Sequence, residues 1–251
     1  MRSVDINCDM GESFGRWPMG NDAALMQYIS SANIACGFHA GDPQIMRNTV
    51  RLALKYHVAI GAHPGFHDLQ GFGRREIHMA PEEVFSLVLY QIGALEAIAR
   101  AEGGVLHHVK PHGALYNMAV KDRRLADAIA RAVQHAGTGL ILYGLSGSAL
   151  IDAAKAIGLR TASEVFADRS YQDDGSLTPR SQAGALIEDA VAAARQALQM
   201  VEQQQVLSLQ GNPVALVAET LCLHGDGAHA LEFARAIHQT FVDRGIEIKA
   251  P

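Results

Sequence analysis

Apolar and polar residues alternate in short stretches along the chain, and each stretch is followed by a longer segment with an apolar stripe at helical spacing. Residues 4–9 show the first pattern, with apolar side chains at even positions and polar ones at odd positions. Further strands are predicted within residues 34–43, at 58–63, within 105–113, at 140–143, at 159–166 and within 219–227. Helices are predicted at residues 43–57, 81–101, 122–136, 147–157, 183–205 and 228–244, and a short one begins at Asn21 or Asp22. Strands that alternate with helices indicate a parallel sheet with crossover helices.

The predicted strands favour a closed barrel over an open doubly wound sheet. One parity carries small residues in the middle of the strand and a polar residue at its end, as in Ala59, Gly61 and His63. A sheet covered by helices on both faces should instead show unbroken apolar runs. Because no segment resembles a linker, residues 1–251 are expected to form a single β/α barrel of about seven parallel strands. Residues 206–218 fit either a hairpin or an irregular crossover.

Composition and charge narrow the functional class. The chain has 251 residues, a hydrophobic content of 49% and a formal net charge of −5. A nucleic-acid partner usually needs a basic face and is not expected. We find no apolar signal region and no run of membrane-spanning length, so no membrane association is expected. Three separated cysteines without a C-x-x-C pair argue against disulfides or a thiolate zinc site and favour a reducing cytoplasm.

Residues capable of chemistry follow the predicted strands at their C-terminal ends, which is where barrels and parallel sheets bind ligands. His39 stands between a strand and the Asp42–Pro43 pair, a helix N-cap followed by proline in the first turn. A single histidine of this kind is more often structural or solvated. Here, however, histidines and acids recur at the ends of several predicted strands. Each buried polar group costs about 1–3 kcal/mol unless it is paired, so their recurrence indicates that they share one polar site. The candidates are Asp9, His39, His63, Lys110, His112, Glu164, Asp168 and His224.

Motifs of several other enzyme classes are missing or weak. The sequence contains neither a G-x-x-x-x-G-K-[ST] phosphate loop nor G-x-G-x-x-G. Ser146 lies in a loose match to G-x-S-x-G and is better explained as a helix cap. His63 and His67 have a metal-like spacing, but the proline and glycine between them exclude the helical geometry that such pairs use. Asp9, His39 and His63 form an alternative set that could hold a metal ion.

Seven strings, distributed over nearly the whole chain, resemble the LamB/YcsF family, and their length makes the resemblance specific. They are Asn7–Gly15 (NCDMGESFG), Ser31–Pro43 (SANIACGFHAGDP), Gly61–Pro64 (GAHP), Gly71–Arg75 (GFGRR), His108–Asn117 (HVKPHGALYN), Glu164–Arg169 (EVFADR) and Cys222–Asp226 (CLHGD). His67 stands where we expect the family to carry proline, so it receives no role.

The resemblance implies a barrel like that of the glycoside hydrolase/deacetylase group and an ATP-dependent 5-oxoprolinase activity, which opens 5-oxoproline to L-glutamate. It also implies that the chain works with 5-oxoprolinase subunits B and C and consumes ATP, with Mg²⁺, as a co-substrate. Hydrolysis of a planar lactam must stabilise an oxyanion and protonate the leaving nitrogen. Phosphorylation of the amide oxygen by ATP would make the lactam a better electrophile.

The candidate residues can be given roles in this chemistry. Asp9 or Glu164 is expected to act as the general base, with His39 or His63 as proton donor or orienting group. Lys110 is expected to hold the substrate carboxylate or a phosphate with Arg74 and Arg169, although loop-fixing ion pairs explain the two arginines nearly as well. The full set of predicted substrate-binding residues is Asn7, Glu12, Asp42, Arg74, His112, Asp168, Arg169, His224 and Asp226.

Two other functions remain compatible with the sequence. One is a stand-alone metal-dependent amidohydrolase or deacetylase with Asp9, His39 and His63 as ligands, which stoichiometric transition metal in the purified chain would favour. The other is a non-catalytic subunit that binds a small acid for its partners. Partner activity that survives neutralisation of the strand-end residues would favour this second alternative.

Overall fold

The structure, a computed structural model, describes residues 2–223 and 230–251. The strands in these two ranges are β1 (Ser3–Met10), β2 (Ser31–Ala35), β3 (Ala59–His63), β4 (Leu106–Val109), β5 (Ile141–Leu145), β6 (Arg160–Phe166), β7 (Gln205–Leu207), β8 (Pro213–Ala215), β9 (Thr220–Leu223) and β10 (Glu247–Ile248). The helices are α1 (Asp22–Leu25), α2 (Pro43–Tyr56), α3 (Pro81–Ala101), α4 (Gly113–Ala119), α5 (Arg123–Ala136), α6 (Ala149–Ala156), α7 (Ala190–Gln203) and α8 (Ala230–Asp243).

Seven parallel strands close into a barrel, which confirms the predicted fold class. Strands β1 to β6 pair in chain order, and β9 pairs with both β6 and β1 to complete the ring. Strand β10 pairs with the first residues of β1. The ambiguous segment before β9 is an antiparallel hairpin of β7 and β8, which was one of its two sequence interpretations.

The alternation along the strands separates an apolar outer layer from a polar barrel interior. On β1, Ile6 and Cys8 belong to the main hydrophobic core, while Asp5 of the opposite parity accepts hydrogen bonds from the Ser31 and Thr220 hydroxyls at 2.8 and 2.6 Å. These partners lie on β2 and β9, the two neighbours of β1. Side-chain hydrogen bonds therefore join β1 to both neighbouring strands, in addition to the backbone hydrogen bonds.

Helix α3 is the one helix, among the residues that the structure describes, with the length and composition that could cross a membrane. A run of that kind was not predicted from the sequence. Buried core helices pass the same test, and α3 packs against β3, β4 and α5 of the barrel. Its buried Gln91 donates hydrogen bonds from its side-chain amide to the backbone carbonyls of Gly65 and Leu87, a polar arrangement typical of a protein interior.

Helix boundaries follow their capping residues. Asp42 caps α2 as predicted and accepts hydrogen bonds from the amides of Gln44 and Ile45. The prediction that Ser146 caps α6 is wrong, because Ser148 is the cap and Ser146 accepts a hydrogen bond from the amide of Val217.

Helix α7 begins at Ala190 instead of residue 183, because Asp189 provides its cap. Helix α4 was not predicted at all. The start of the final predicted helix, at residues 228 and 229, lies outside the described residues.

Candidate active site at the barrel mouth

Asp9 and Lys110 form an ion pair at the end of the barrel interior. The Lys110 ammonium donates to Asp9 Oδ1 at 3.1 Å, and the Asn33 side-chain amide donates to the same oxygen at 2.9 Å. The second oxygen of Asp9 lies 3.3 Å from Nε2 of His63. Asp9 retains some exposure, 13% of its side chain, whereas Lys110 is 4% exposed. The carboxylate of Asp9 is therefore both fixed in place and accessible from the mouth of the barrel.

Glu164 lies behind this pair and is fully buried. One of its oxygens is 2.8 Å from the Lys110 ammonium and accepts a hydrogen bond from the Asn7 side chain at 3.0 Å. The other accepts a 2.7 Å hydrogen bond from the Tyr116 hydroxyl. Lys110 also donates to Cys222 Sγ at 3.1 Å. Glu164 thus holds the lysine in position from the protein interior.

Electrostatics keep Asp9 and Lys110 charged. Burial alone would raise the pKa of Asp9, but His63 and Lys110 outweigh burial and hold that pKa well below its ordinary value. Burial alone would lower the pKa of Lys110, but Asp9, Cys222 and Glu164 raise it well above the usual value. At neutral pH the site therefore contains a carboxylate and an ammonium, and the ammonium cannot act as a base.

Three histidines and a glutamate form a compact cluster, named here the histidine cluster, whose members are Glu12, His39, His63 and His112. His39 and His112 stack with ring centroids 3.7 Å apart. Nε2 of His63 lies 2.9 Å from Nδ1 of His112. Glu12 Oε1 is 3.5 Å from a ring nitrogen of His39 and of His112. The cluster adjoins the ion pair through His63.

Burial keeps two of these imidazoles neutral. It lowers the pKa of His112 to about 3, and His63 acts in the same direction. Burial, with His112 and His63, also holds the pKa of His39 well below its ordinary value. A neutral imidazole has one N–H donor and one nitrogen with a free lone pair, which can accept a hydrogen bond or bind a metal ion.

A cavity of about 520 Å³ opens above the ion pair, and its walls are rich in positive charge. Among the residues that the structure describes, five basic ones line it against two acidic ones, Asp9 and Glu76. The basic residues are Arg74, Lys110, Lys121, Arg169 and Arg180. His63 and His112 also line the cavity. Its volume suits a small molecule, and its charge favours an anionic one.

The two arginines predicted as substrate contacts both line this cavity, and the structure also shows how each is held. Arg169 donates hydrogen bonds to the backbone carbonyls of Thr178 and Ala185 at 2.6 and 3.4 Å, so it fixes a loop. The Arg74 guanidinium lies 4.9 Å from the centre of the Phe72 ring. A loop-fixing role and a cavity-lining position therefore coexist in Arg169.

Other predicted site residues lie elsewhere. Asp42 is absent from the cavity wall, and its carboxylate caps α2 and accepts from the Gly15 amide. Asp168 also does not line the cavity. The residues His224 and Asp226 lie outside the described part of the chain. Asn33 and Tyr116 were not predicted as site residues, although both fall within the strings that carry the family resemblance.

Comparison with known proteins shows the family to which the chain belongs. The model of the LamB/YcsF family matches residues 4–251. The chain belongs to the LamB/YcsF family. A LamB/YcsF relative from Geobacillus kaustophilus, named as the A subunit of 5-oxoprolinase, is 59% identical over 100% of this chain and 98% of its own length. A protein of the same name from Bacillus subtilis is 57% identical over 100% of this chain and 97% of its own.

Solved structures place this LamB/YcsF chain among β/α barrels. The lactam utilization protein from Thermus thermophilus superposes with a TM-score of 0.95 at 49% identity, covering 99% of this chain and 100% of that one. A GH113 β-1,4-mannanase superposes with a TM-score of 0.53 at 10% identity, covering 97% of this chain and 100% of that one. The second likeness concerns the fold alone.

Proposed function

We propose that this chain opens the lactam ring of 5-oxoproline to give L-glutamate, as the A subunit of an ATP-dependent 5-oxoprolinase that also includes subunits B and C. Full-length relatives named as the A subunit of 5-oxoprolinase support this assignment. The observation that carries it is the ionised Asp9, paired with Lys110 and facing a cationic cavity of small-molecule size. The free, buried Cys8, Cys36 and Cys222 suit a reducing cytoplasm.

Asp9 is the general base in this proposal. Water adds to the lactam carbonyl carbon while Asp9 accepts one of its protons. The same proton then passes from Asp9 to the ring nitrogen as the carbon–nitrogen bond breaks, which leaves the free amine of glutamate. Glu164, the other carboxylate considered from sequence, does not line the cavity and is fully hydrogen-bonded.

Other residues bind the substrate and hold the base. Arg74 and Arg169, on the cavity wall, are assigned to the substrate carboxylate. Lys110 supplies positive charge next to the reacting carbonyl and keeps Asp9 ionised. Nε2 of His63 lies 3.3 Å from the Asp9 carboxylate and orients it through the proton or cation that this nitrogen holds.

ATP, with Mg²⁺, activates the lactam within the complex of the three subunits by transferring its γ-phosphoryl group to the lactam oxygen, with release of ADP. Ring opening by the first water then leaves γ-glutamyl phosphate, and a second water hydrolyses this acyl phosphate to glutamate and inorganic phosphate. The basic residues of the cavity suit a phosphate as well as a carboxylate. The sequence contains no phosphate-binding loop. We therefore assign this chain the lactam-binding and ring-opening part of the reaction.

The assignment can be tested by measuring glutamate release from 5-oxoproline and ATP with this chain and purified subunits B and C. Asp9→Asn is expected to reduce turnover by about 10²–10⁴-fold, because it removes the base. Asp152→Asn alters an exposed acid on α6 and should stay within about twofold of the unaltered chain. Asp9→Asn turnover equal to that of this control would refute the role of Asp9.

The same assay separates the alternatives. Glutamate release by the isolated chain, with neither ATP nor the other two subunits, would identify a stand-alone amidohydrolase. Undiminished release with neutralised strand-end residues would identify a non-catalytic binding subunit. The proposal expects release to require all three subunits and ATP.

A further inference from the structure

We propose that the histidine cluster, Glu12, His39, His63 and His112, binds one divalent metal ion of the zinc class. One ligand atom from each residue lies within 4.8 Å of the other three, and all four residues are buried. The shorter separations are 2.9 Å between His63 and His112, and 3.5 Å from Glu12 to His39 and to His112. Tetrahedral zinc with bonds of about 2.1 Å holds its ligand atoms about 3.4 Å apart, so the cluster already approaches that spacing.

Hydrogen bonds on the outer side of two rings turn their lone pairs inward. Nδ1 of His63 lies 2.7 Å from the Lys110 carbonyl, and Nε2 of His112 lies 2.8 Å from the Phe72 carbonyl. A carbonyl only accepts, so these two nitrogens carry the ring protons, as in most metal-binding histidines. The inward nitrogens, 2.9 Å apart, are then both acceptors. Two facing lone pairs repel each other unless a cation lies between them.

His39 gives an independent indication of a missing partner. Neither of its ring nitrogens makes a hydrogen bond to any residue that the structure describes, although the residue is only 1% exposed. Leaving such a group unsatisfied costs about 1–3 kcal/mol. A metal ion would satisfy Nε2, the atom that faces Glu12.

Two glycines make room for the cluster. A Cβ at Gly65 would lie 2.6 Å from His39 Nδ1. At Gly73, where φ is +62°, a Cβ would lie 2.7 Å from Cβ of His39 and 2.8 Å from the His112 ring. Side chains at these positions would displace the stacked imidazoles. The backbone is therefore shaped around the two rings.

The donor set indicates the class of ion. Three imidazoles and one carboxylate suit Zn²⁺ and its first-row neighbours, whereas Mg²⁺ and Ca²⁺ prefer oxygen ligands. His63 and His112 line the cavity, which gives an ion a path of entry. The rival explanation is a proton shared between His63 and His112, with no metal ion.

Metal binding can be measured on the isolated chain, without lactam, ATP or partner subunits, so its outcome is independent of the proposed reaction. The chain is stripped with a chelator, titrated with Zn²⁺ or Co²⁺, and passed through gel filtration. One equivalent per chain is expected, and the cobalt form should show the intense visible absorption of tetrahedral coordination. Retention of less than about a tenth of an equivalent would overturn the proposal and favour the shared proton.

Variants locate the ion. His39→Gln and His112→Gln are each expected to weaken metal affinity by about 100-fold or more. His67→Gln, on an exposed loop, and His108→Gln, buried in the barrel outside the cluster, are matched controls that should retain the ion. Unchanged affinity in both cluster variants would overturn the site.

If circular dichroism shows that the variants do not fold, a second measurement on the unaltered chain tests the site. Crystals of the unaltered chain are soaked in Zn²⁺, and anomalous diffraction is recorded at the zinc edge. A peak bonded to His63 Nε2 and His112 Nδ1 is expected. A peak only elsewhere, or none, would overturn the proposal.

Discussion

Asp9 and Glu164 are both strand-end carboxylates in the sequence, but their environments differ. Asp9 is partly exposed and lines the cavity, whereas Glu164 is fully buried and accepts from Asn7, Lys110 and Tyr116. Alternation along a strand identifies the inward face, but it does not show how deep in the barrel a residue lies. In the proposed reaction, this difference in depth separates Asp9, the general base, from Glu164, which holds Lys110 in place.

Lys110→Met tests this residue-scale account of the ion pairs. The substitution leaves two carboxylates without their shared cation, one of them fully buried, and should lower the free energy of unfolding by about 3–5 kcal/mol. Adding Glu164→Gln removes the buried charge, so the double variant should cost less than the sum of the two single changes. Urea unfolding monitored by circular dichroism gives these values.

Arg123→Met is the matched control, because Arg123 pairs with Asp127 at the surface of α5, where both side chains are about half exposed. Its cost should be about 0.5 kcal/mol or less. An equal cost for Lys110→Met and Arg123→Met would contradict the account.

The site residues themselves were largely predicted from the sequence, but their hydrogen-bond partners were not. Asp9, His63, Lys110 and His112 were predicted at strand ends, and the structure brings them together. Asn33 and Tyr116 contact the carboxylates from another strand and from a helix. Nothing in local alternation links residues that far apart in sequence, so only the folded barrel identifies them as partners.

Helices were predicted best where the apolar stripe and the capping residue indicate the same boundary. Helix α3 has the predicted bounds, and Asp42 begins α2 as expected. Helix α7 starts seven residues later than predicted, because apolar spacing continues through residues 183–189 while the cap at Asp189 sets the start. Helix α4 is one short segment of seven residues after β4, too short for its periodicity to be evident.

The packing of neighbouring strands β3 and β4 depends on one glycine. A Cβ at Gly61 would lie 2.0 Å from Nε2 of His108, a nitrogen that is 2.8 Å from Asn33 Oδ1. Gly61→Ala should therefore lower the free energy of unfolding by about 1–3 kcal/mol through overpacking. Thermal or urea unfolding provides the measurement.

Gly93→Ala is the control for this element. Gly93 lies in α3, and a Cβ there meets nothing within 4 Å, so alanine should raise stability by up to about 1 kcal/mol through helix propensity. Destabilisation of similar size in both variants would show that the Gly61–His108 contact is not responsible.

At the scale of the whole molecule, the barrel fold brings basic residues that are far apart in the sequence to one cavity. The chain carries a net charge of −5, yet residues 2–223 and 230–251 contribute five basic and two acidic side chains to the cavity wall. Net charge gave no sign of a cationic site, because the acidic residues lie mostly elsewhere. The barrel fold was predictable from alternation, whereas the charge of its mouth depends on which loops meet there.

The central claim is that the lactam binds in this cavity beside Asp9, and a crystal structure of the chain with 5-oxoproline tests it most directly. We expect the substrate carboxylate at Arg74 or Arg169 and the lactam carbonyl next to Lys110. A water held by Asp9 should lie about 3 Å from the carbonyl carbon. Binding of 5-oxoproline only outside the barrel mouth, or with its carbonyl directed away from Asp9 and Lys110, would contradict the account.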